Sequence, residues 1–104
     1  MEEGMTTGKL VRDGIPEIMR SDGLDPQVEV LGDAAFEKAL RAKLLEEANE
    51  FLSDGRIEEL ADLLEVIGAL AERRGASMDE LERLRLEKRA RRGGFGERFF
   101  LKTR

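Results

Sequence analysis

Cysteine and histidine are both absent from the 104 residues. Without cysteine there can be no disulfide and no thiolate metal ligand, and without histidine the chain lacks the usual general base and the usual zinc ligand. Any metal site must therefore be built from oxygen, which selects hard cations such as Mg²⁺, Mn²⁺ or Ca²⁺. Tryptophan and tyrosine are missing as well, and five phenylalanines are the whole aromatic complement. That leaves little for stacking single-stranded nucleic acid. No stretch approaches the roughly 20 apolar residues of a membrane span. The N-terminus has neither the apolar core nor the cleavage pattern of a secretory signal. These absences make the cytoplasm the expected compartment, with no membrane and no nucleic acid among the expected partners.

What is abundant is charge, at 39% of residues, with a net value of −5. It is unevenly spread. Residues 83–104 hold nine Lys/Arg against only Glu87 and Glu97, an excess of seven positive charges, so residues 1–82 carry −12. An acidic body with a basic tail suits a substrate that needs both a cation and direct phosphate contacts. It equally suits a solvated basic helix end that complements its own macrodipole. The length fits one domain with a modest core. A thin, two-layer helical unit of this size leaves apolar surface uncovered, and helix pairing in a homodimer or a dimer of dimers would cover it.

Along the chain, residues 1–8 have little apolar content and are expected to form a flexible tail, with a single helical domain over 9–104. Pro16 suits the first turn of a short helix that Ser21-Asp22-Gly23 would stop. Gln27-Val28-Glu29-Val30-Leu31 alternates polar and apolar and predicts a short strand; the tail around Phe99-Phe100-Leu101 could pair with it as a strand or be an arm packed on a partner subunit. Asp33 reads as the N-cap of a long helix over 34–53, with Phe36, Leu40, Leu44, Ala48 and Phe51/Leu52 at helical spacing. Asp54-Gly55 breaks it. A second helix over 56–74 would turn Ile57, Leu60, Leu64, Ile67 and Ala71 inward. Ser77 and Glu80 form a capping box for a third long helix that reaches Arg92, before Gly93-Gly94 ends it. The expected fold class is all-α, built on an antiparallel helical hairpin or bundle, with at most a minor strand pair.

The chemistry concentrates at that hairpin. With almost no connection, the first two long helices must run antiparallel. Measured from the turn, Glu50 and Glu59 lie equally far out on opposite helices, roughly 7 Å away, and Glu47 and Asp62 match at roughly 11 Å. Each helix offers two carboxylates at i and i+3, hence on one face. That face also carries Leu40, Leu44 and Phe51 on one helix and Leu63, Val66 and Leu70 on the other. Carboxylates at the edge of an apolar groove lose hydration and repel one another. A divalent cation is the direct compensation, and helices packed roughly 8–10 Å apart leave room for one. The plainer alternative is a set of surface acids in ion pairs, for which Lys43, four residues before Glu47, is available.

The run Glu46-Glu47-Ala48-Asn49-Glu50, followed by Glu59-Leu60-Ala61-Asp62, resembles the EExxE…ExxD signature of the MazG-like, all-α nucleotide pyrophosphohydrolases. The frame agrees: Lys9-Leu10-Val11-Arg12-Asp13 and Ile15-Pro16 before it, Lys88 and Arg92-Gly93-Gly94-Phe95 after it. Together these are similar to the small branch called phosphoribosyl-ATP pyrophosphohydrolase-like, over about residues 9–96. The gap from Glu50 to Glu59 is shorter than in most of that superfamily, which narrows the pocket near the turn. The resemblance implies Mg²⁺-dependent hydrolysis (Mn²⁺ as substitute) between the α- and β-phosphates of a nucleotide substrate. Glu47, Glu50, Glu59 and Asp62 would be the metal ligands, and Glu46 would either orient or deprotonate the attacking water or steady a ligand. Lys9, Arg12, Lys88, Arg91 and Arg92 are the candidates for phosphate contacts, Arg by bidentate pairing and Lys as a point charge.

Three rival readings follow from the same residues. One is a true phosphoribosyl-ATP pyrophosphohydrolase of histidine biosynthesis, against which the short hairpin gap and the Lys-Leu-Val-Arg-Asp opening stand; a housecleaning role on non-standard nucleotides suits them better. Another is a nucleic-acid-binding protein using the basic tail, which the acidic body opposes. The last is a helical interaction module without catalysis.

Overall fold

A computed structural model of the chain describes residues 8–102. The expected tail over 1–8 lies, apart from Gly8, outside the described residues. Four α-helices follow one another: α1 (Ile15–Ser21), α2 (Asp33–Asp54), α3 (Ile57–Arg73) and α4 (Met78–Arg92). The fold is all-α. No strand occurs among the described residues, so the strand expected over 27–31 and its pairing with 99–101 are both corrected. The alternation there has nothing to face: Val28 and Val30 are 54% and 95% exposed. An alternating segment without a sheet to join gains no buried face and no ladder.

The chain divides after Leu70 into two compact units. The first holds α1, α2 and most of α3. Pro16 stands in the opening turn of α1, where its missing N–H is no loss. At the start of α2 the N-cap is Gly32, without a side-chain cap, and Asp33 is already helical. The expected cap is therefore one residue off. Asp33 instead adds negative charge in the first turn, where the helix dipole favours it. At the other end Gly55 is left-handed at φ 66°, and its N–H donates to the Phe51 carbonyl at 2.7 Å. Asp54 accepts from the Arg56 N–H at 3.1 Å, so the two-residue link between α2 and α3 is closed by its own hydrogen bonds.

The interior of this unit is small. Leu40 (3% exposed) and Val66 (7%) are its buried large apolar residues, with Glu47 (6%) beside them in burial. The face that α3 turns inward departs from expectation. Ile57, Leu60 and Leu64 are 72%, 41% and 52% exposed, whereas Glu59, Asp62, Leu63 and Leu70 are partly buried and Val66 is buried. The helix carries two apolar stripes, and the one that packs is the one bearing the carboxylates. Ile67 is half-buried and Ala71 buried, so those two expected positions hold. On α2, Leu45 and Leu52 are likewise open, at 64% and 79%.

The second unit opens with a Schellman ending to α3: Ala76 N–H donates to the Ala71 carbonyl at 3.0 Å and Gly75 N–H to Glu72 at 2.9 Å, with Gly75 at φ 79°. The capping box on α4 forms in both directions, Glu80 N–H to Ser77 Oγ at 3.1 Å and Ser77 N–H to Glu80 Oε1 at 2.8 Å. No residue of α4 is buried. Its start therefore rests on local hydrogen bonds more than on packing.

Truncating Leu40 to Ala should lower the unfolding free energy by about 2–5 kcal/mol, the range for emptying a packed leucine site. Ser77→Ala should cost about 1 kcal/mol and fray α4 from its N-terminus. Chemical denaturation with a helicity readout measures both.

Candidate metal centre

The hairpin gathers the expected carboxylates. On α2, Glu46, Glu47 and Glu50 each place an oxygen within 4.8 Å of the others, and Glu47, Glu59 and Asp62 do the same across the two helices. Glu47 belongs to both triads and is their common corner. The five acids of the sequence pattern therefore fall into two triads joined through Glu47. The i, i+3 spacing puts Glu47 and Glu50 on one side of α2 and Glu59 and Asp62 on one side of α3. The short link then sets the two sides against each other.

Burial makes this expensive. Glu47 is 6% exposed, and its Oε1 has no hydrogen-bond partner; Oε1 of Glu59 is likewise buried and unpartnered. A buried carboxylate oxygen without a donor is a large penalty in a folded chain. Three cations offset part of it. Lys43 sits one turn before Glu47 and reaches Glu47 at 3.2 Å and Glu46 at 3.4 Å. Desolvation pulls the Lys43 pKa down, but the bond to Glu47 and the charges of Glu46 and Glu47 outweigh it and hold the ammonium above its ordinary range. Arg12 donates to Asp62 at 2.7 Å, and Lys9 stands 3.7 Å from Glu46. These last two pairs are substantially exposed, so each is worth at most about 1 kcal/mol. Bonds that weak can be exchanged for other partners.

Glu50 and Glu59 have no cation beside them among the described residues. The result is visible in Glu59, whose pKa is pushed up to about 7, by desolvation first and then by the charge and hydrogen bonding of Asp54 and Glu50. Asp54 is the residue that sequence reasoning missed at this site. It marked the helix end, but its carboxyl also faces Glu59. The signal was its place on the last turn of α2, directly across a two-residue link from the start of α3.

The other phosphate candidates divide by location. Lys9 and Arg12 lie in the first unit and lean on the carboxylates rather than standing clear of them. Lys88, Arg91 and Arg92 lie in the second unit, exposed on α4, and Arg91 and Arg92 fill its last turn beside Arg89. There they complement the helix dipole.

The donor set suits a hard divalent cation. Oxygens around an octahedral Mg²⁺ bound at about 2.1 Å stand about 3.0 Å apart when adjacent and about 4.2 Å when opposite. The carboxylate triads keep their oxygens within 4.8 Å of one another, a spread that a cation would have to draw in. The orphaned oxygens of Glu47 and Glu59 provide lone pairs that no protein donor uses.

Glu59 gives the metal-free protein a pH signature. A carboxyl whose folded pKa lies above its unfolded one keeps its proton longer when folded, so its contribution falls as pH rises from about 4.5 to about 7 and is flat above. In EDTA, Tm should drop between about pH 5 and pH 8, and Glu59→Gln should remove most of that drop. Added Mg²⁺ should raise the wild-type Tm at about pH 8 and do less near pH 5, where protons compete for the ligands. Differential scanning calorimetry over that range tests all three. Comparison with known proteins returns no match, whether to a family model, a curated protein or a solved structure, so the centre stands on its own geometry.

Proposed function

We propose that this protein is a Mg²⁺-dependent nucleotide pyrophosphohydrolase, acting in the cytoplasm as a homo-oligomer and serving a housecleaning role on nucleoside triphosphates or related nucleotides. The observation that carries the reading is the buried, unpartnered oxygen of Glu47 at the corner shared by two carboxylate triads. The likeness of the EExxE…ExxD pattern to the MazG-like enzymes supports the choice of reaction.

In this reading Glu47, Glu50, Glu59 and Asp62 hold the cation. Bound there, Mg²⁺ would neutralise phosphate charge and make a bound water more acidic, which supplies what a chain without histidine lacks. The protein's own part is positioning and electrostatics, which phosphoryl-type transfer chiefly needs. Glu46 is half-buried and paired with Lys43 and Lys9, a posture from which it can orient the attacking water and accept its proton. Water adds at phosphorus, the bond between the α- and β-phosphates breaks, and monophosphate and pyrophosphate leave. Lys9 and Arg12 hold surface-strength bonds to Glu46 and Asp62, so they are free to turn to phosphate oxygens when a cation takes over the carboxylates. Among the described residues, no helix is long and apolar enough to cross a membrane. The open leucines of α2 and α3 support self-association.

Purified protein should release pyrophosphate from a panel of canonical and modified nucleoside triphosphates with Mg²⁺ and not with EDTA. Glu50→Gln should lower kcat by about 100-fold or more with helicity retained, since loss of mere supporting contacts already costs 10–100-fold at metal sites. At limiting Mg²⁺, turnover should climb as pH rises towards about 7, because the cation competes with the proton that Glu59 holds in the metal-free protein. No release from any triphosphate by folded, Mg²⁺-saturated protein would turn the search to phosphoribosyl-ATP. Failure there too would leave the helical interaction module.

A further inference from the structure

Of the three cations beside the carboxylates, Lys43 is the one withdrawn from water. Its side chain is 18% exposed, against 64% for Lys9 and 54% for Arg12. A lysine sits that far from solvent chiefly where its ammonium has partners. Here there are two, Glu46 Oε1 at 3.4 Å and Glu47 Oε2 at 3.2 Å, so one ammonium bridges neighbouring acids. Support for the helix does not account for the bridge, because lysine stands before glutamate in the i, i+4 pair, the less favourable order on an isolated helix.

The bridge takes one oxygen from each carboxylate. On Glu47 it occupies Oε2, while Oε1 is the buried oxygen that no donor reaches. The two oxygens of Glu47 cannot change places without breaking the pair, so Oε1 is fixed as the one open to a cation. On Glu46 the bridge occupies Oε1, and Oε2 faces Lys9 across 3.7 Å. Lys9 is exposed and can turn away, whereas Lys43 is enclosed and holds its place. Glu47 is the corner of both triads and Glu46 belongs to one of them, so a single side chain sets the posture of the centre. Arg12 is the contrast: it is exposed, serves one acid, and bonds Asp62 Oδ1 at 2.7 Å. A positive charge beside a ligand carboxylate repels an incoming divalent ion. On charge alone, losing either Lys43 or Arg12 would tighten metal binding. Losing a side chain that orients the ligands does the reverse, because the carboxylates must then be ordered at the moment of binding.

We propose that Lys43 is the positioning residue of the metal centre: its ammonium keeps Glu47 Oε1 open to the cation and steadies Glu46 for the attacking water, a role that rests on the metal-dependent reading above. Lys43 itself touches neither cation nor substrate. It acts through the carboxylates, as the outer partners of metal ligands commonly do.

Calorimetric titration of the nucleotide-free protein with Mg²⁺ and with Mn²⁺ tests this on wild type, Lys43→Met and Arg12→Met, each shown by circular dichroism to be folded. Lys43→Met should weaken the metal Kd by about 10–100-fold, the range for removing a partner that orients a ligand. Arg12→Met should leave the Kd unchanged or tighten it. At saturating Mg²⁺, Lys43→Met should lower kcat by about ten-fold while KM for a nucleoside triphosphate stays within about three-fold, because Glu46 loses its hold and no phosphate contact is lost. Where Lys43→Met does not fold, Lys43→Gln, too short to bridge both acids, takes its place with the same expectations. The proposal is overturned if the Lys43 variant binds metal as tightly as wild type or more tightly, or if it and Arg12→Met shift the affinity in the same direction. Wild type that binds neither ion would sink the metal-dependent reading itself. Wild type that binds, with the Lys43 variant its equal, sinks the positioning role alone.

Discussion

Glu47 is a carboxylate withdrawn from water on a helical hairpin whose other buried large residues are Leu40 and Val66, and most of the polar detail nearby answers that withdrawal. Lys43 lies one turn earlier on the same helix and bonds to it. Arg12 crosses from the N-terminal segment to Asp62, and Lys9 from the same segment to Glu46. Glu59 has no cation to lean on and responds by holding its proton. Three cations against six carboxyls, Asp54 included, leave the site short of positive charge. The shortage falls on the oxygens of Glu47 and Glu59 that no donor reaches. Like charges kept together at such cost are usual where a cation or a phosphate is handled, and unusual where only stability is served.

The helices were legible wherever a local signal stood alone. Gly55 and Gly75 end their helices because a left-handed residue is needed there, and Ser77 with Glu80 starts α4 through reciprocal hydrogen bonds that involve four residues and nothing distant. The start of α2 was misplaced by one residue because Gly32 and Asp33 are both acceptable caps and the choice turns on how the chain arrives. The segment 27–31 alternates as a strand should, but alternation is only half of a strand; the other half is a neighbour to pair with, which lies outside the segment's own pattern. The inward face of α3 was misread for a related reason. Leu60 and Leu64 form as good a stripe as Leu63, Val66 and Leu70, and periodicity alone cannot choose between two stripes on one helix.

The carboxylate site was more legible than the core, because its pattern ties two helices at once. Spacing of three residues on each helix and symmetry about the turn leave few ways to arrange Glu47, Glu50, Glu59 and Asp62 other than together. Asp54 escaped because its contribution is tertiary: it matters through Glu59. Lys9 and Arg12 were visible as cations, but sequence could not show that they rest on carboxylates. Sequence distance is the obstacle here, since Arg12 and Asp62 are 50 positions apart.

Gly55 and Arg56 are all that separates the last residue of α2 from the first of α3. A connection that short leaves no slack, so the relative phase of the two helices is a covalent property of the chain. One residue more or less would change where α3 starts relative to α2, carrying Glu59 and Asp62 away from Glu47. Arg56 is exposed and can be substituted, but Gly55 in the left-handed region resists a side chain, and changes of length cannot be absorbed. Descendants of this chain are thus free to vary Arg56 while Gly55 and the length of the link stay frozen, and the carboxylate site inherits its geometry from a count of residues as much as from their identities.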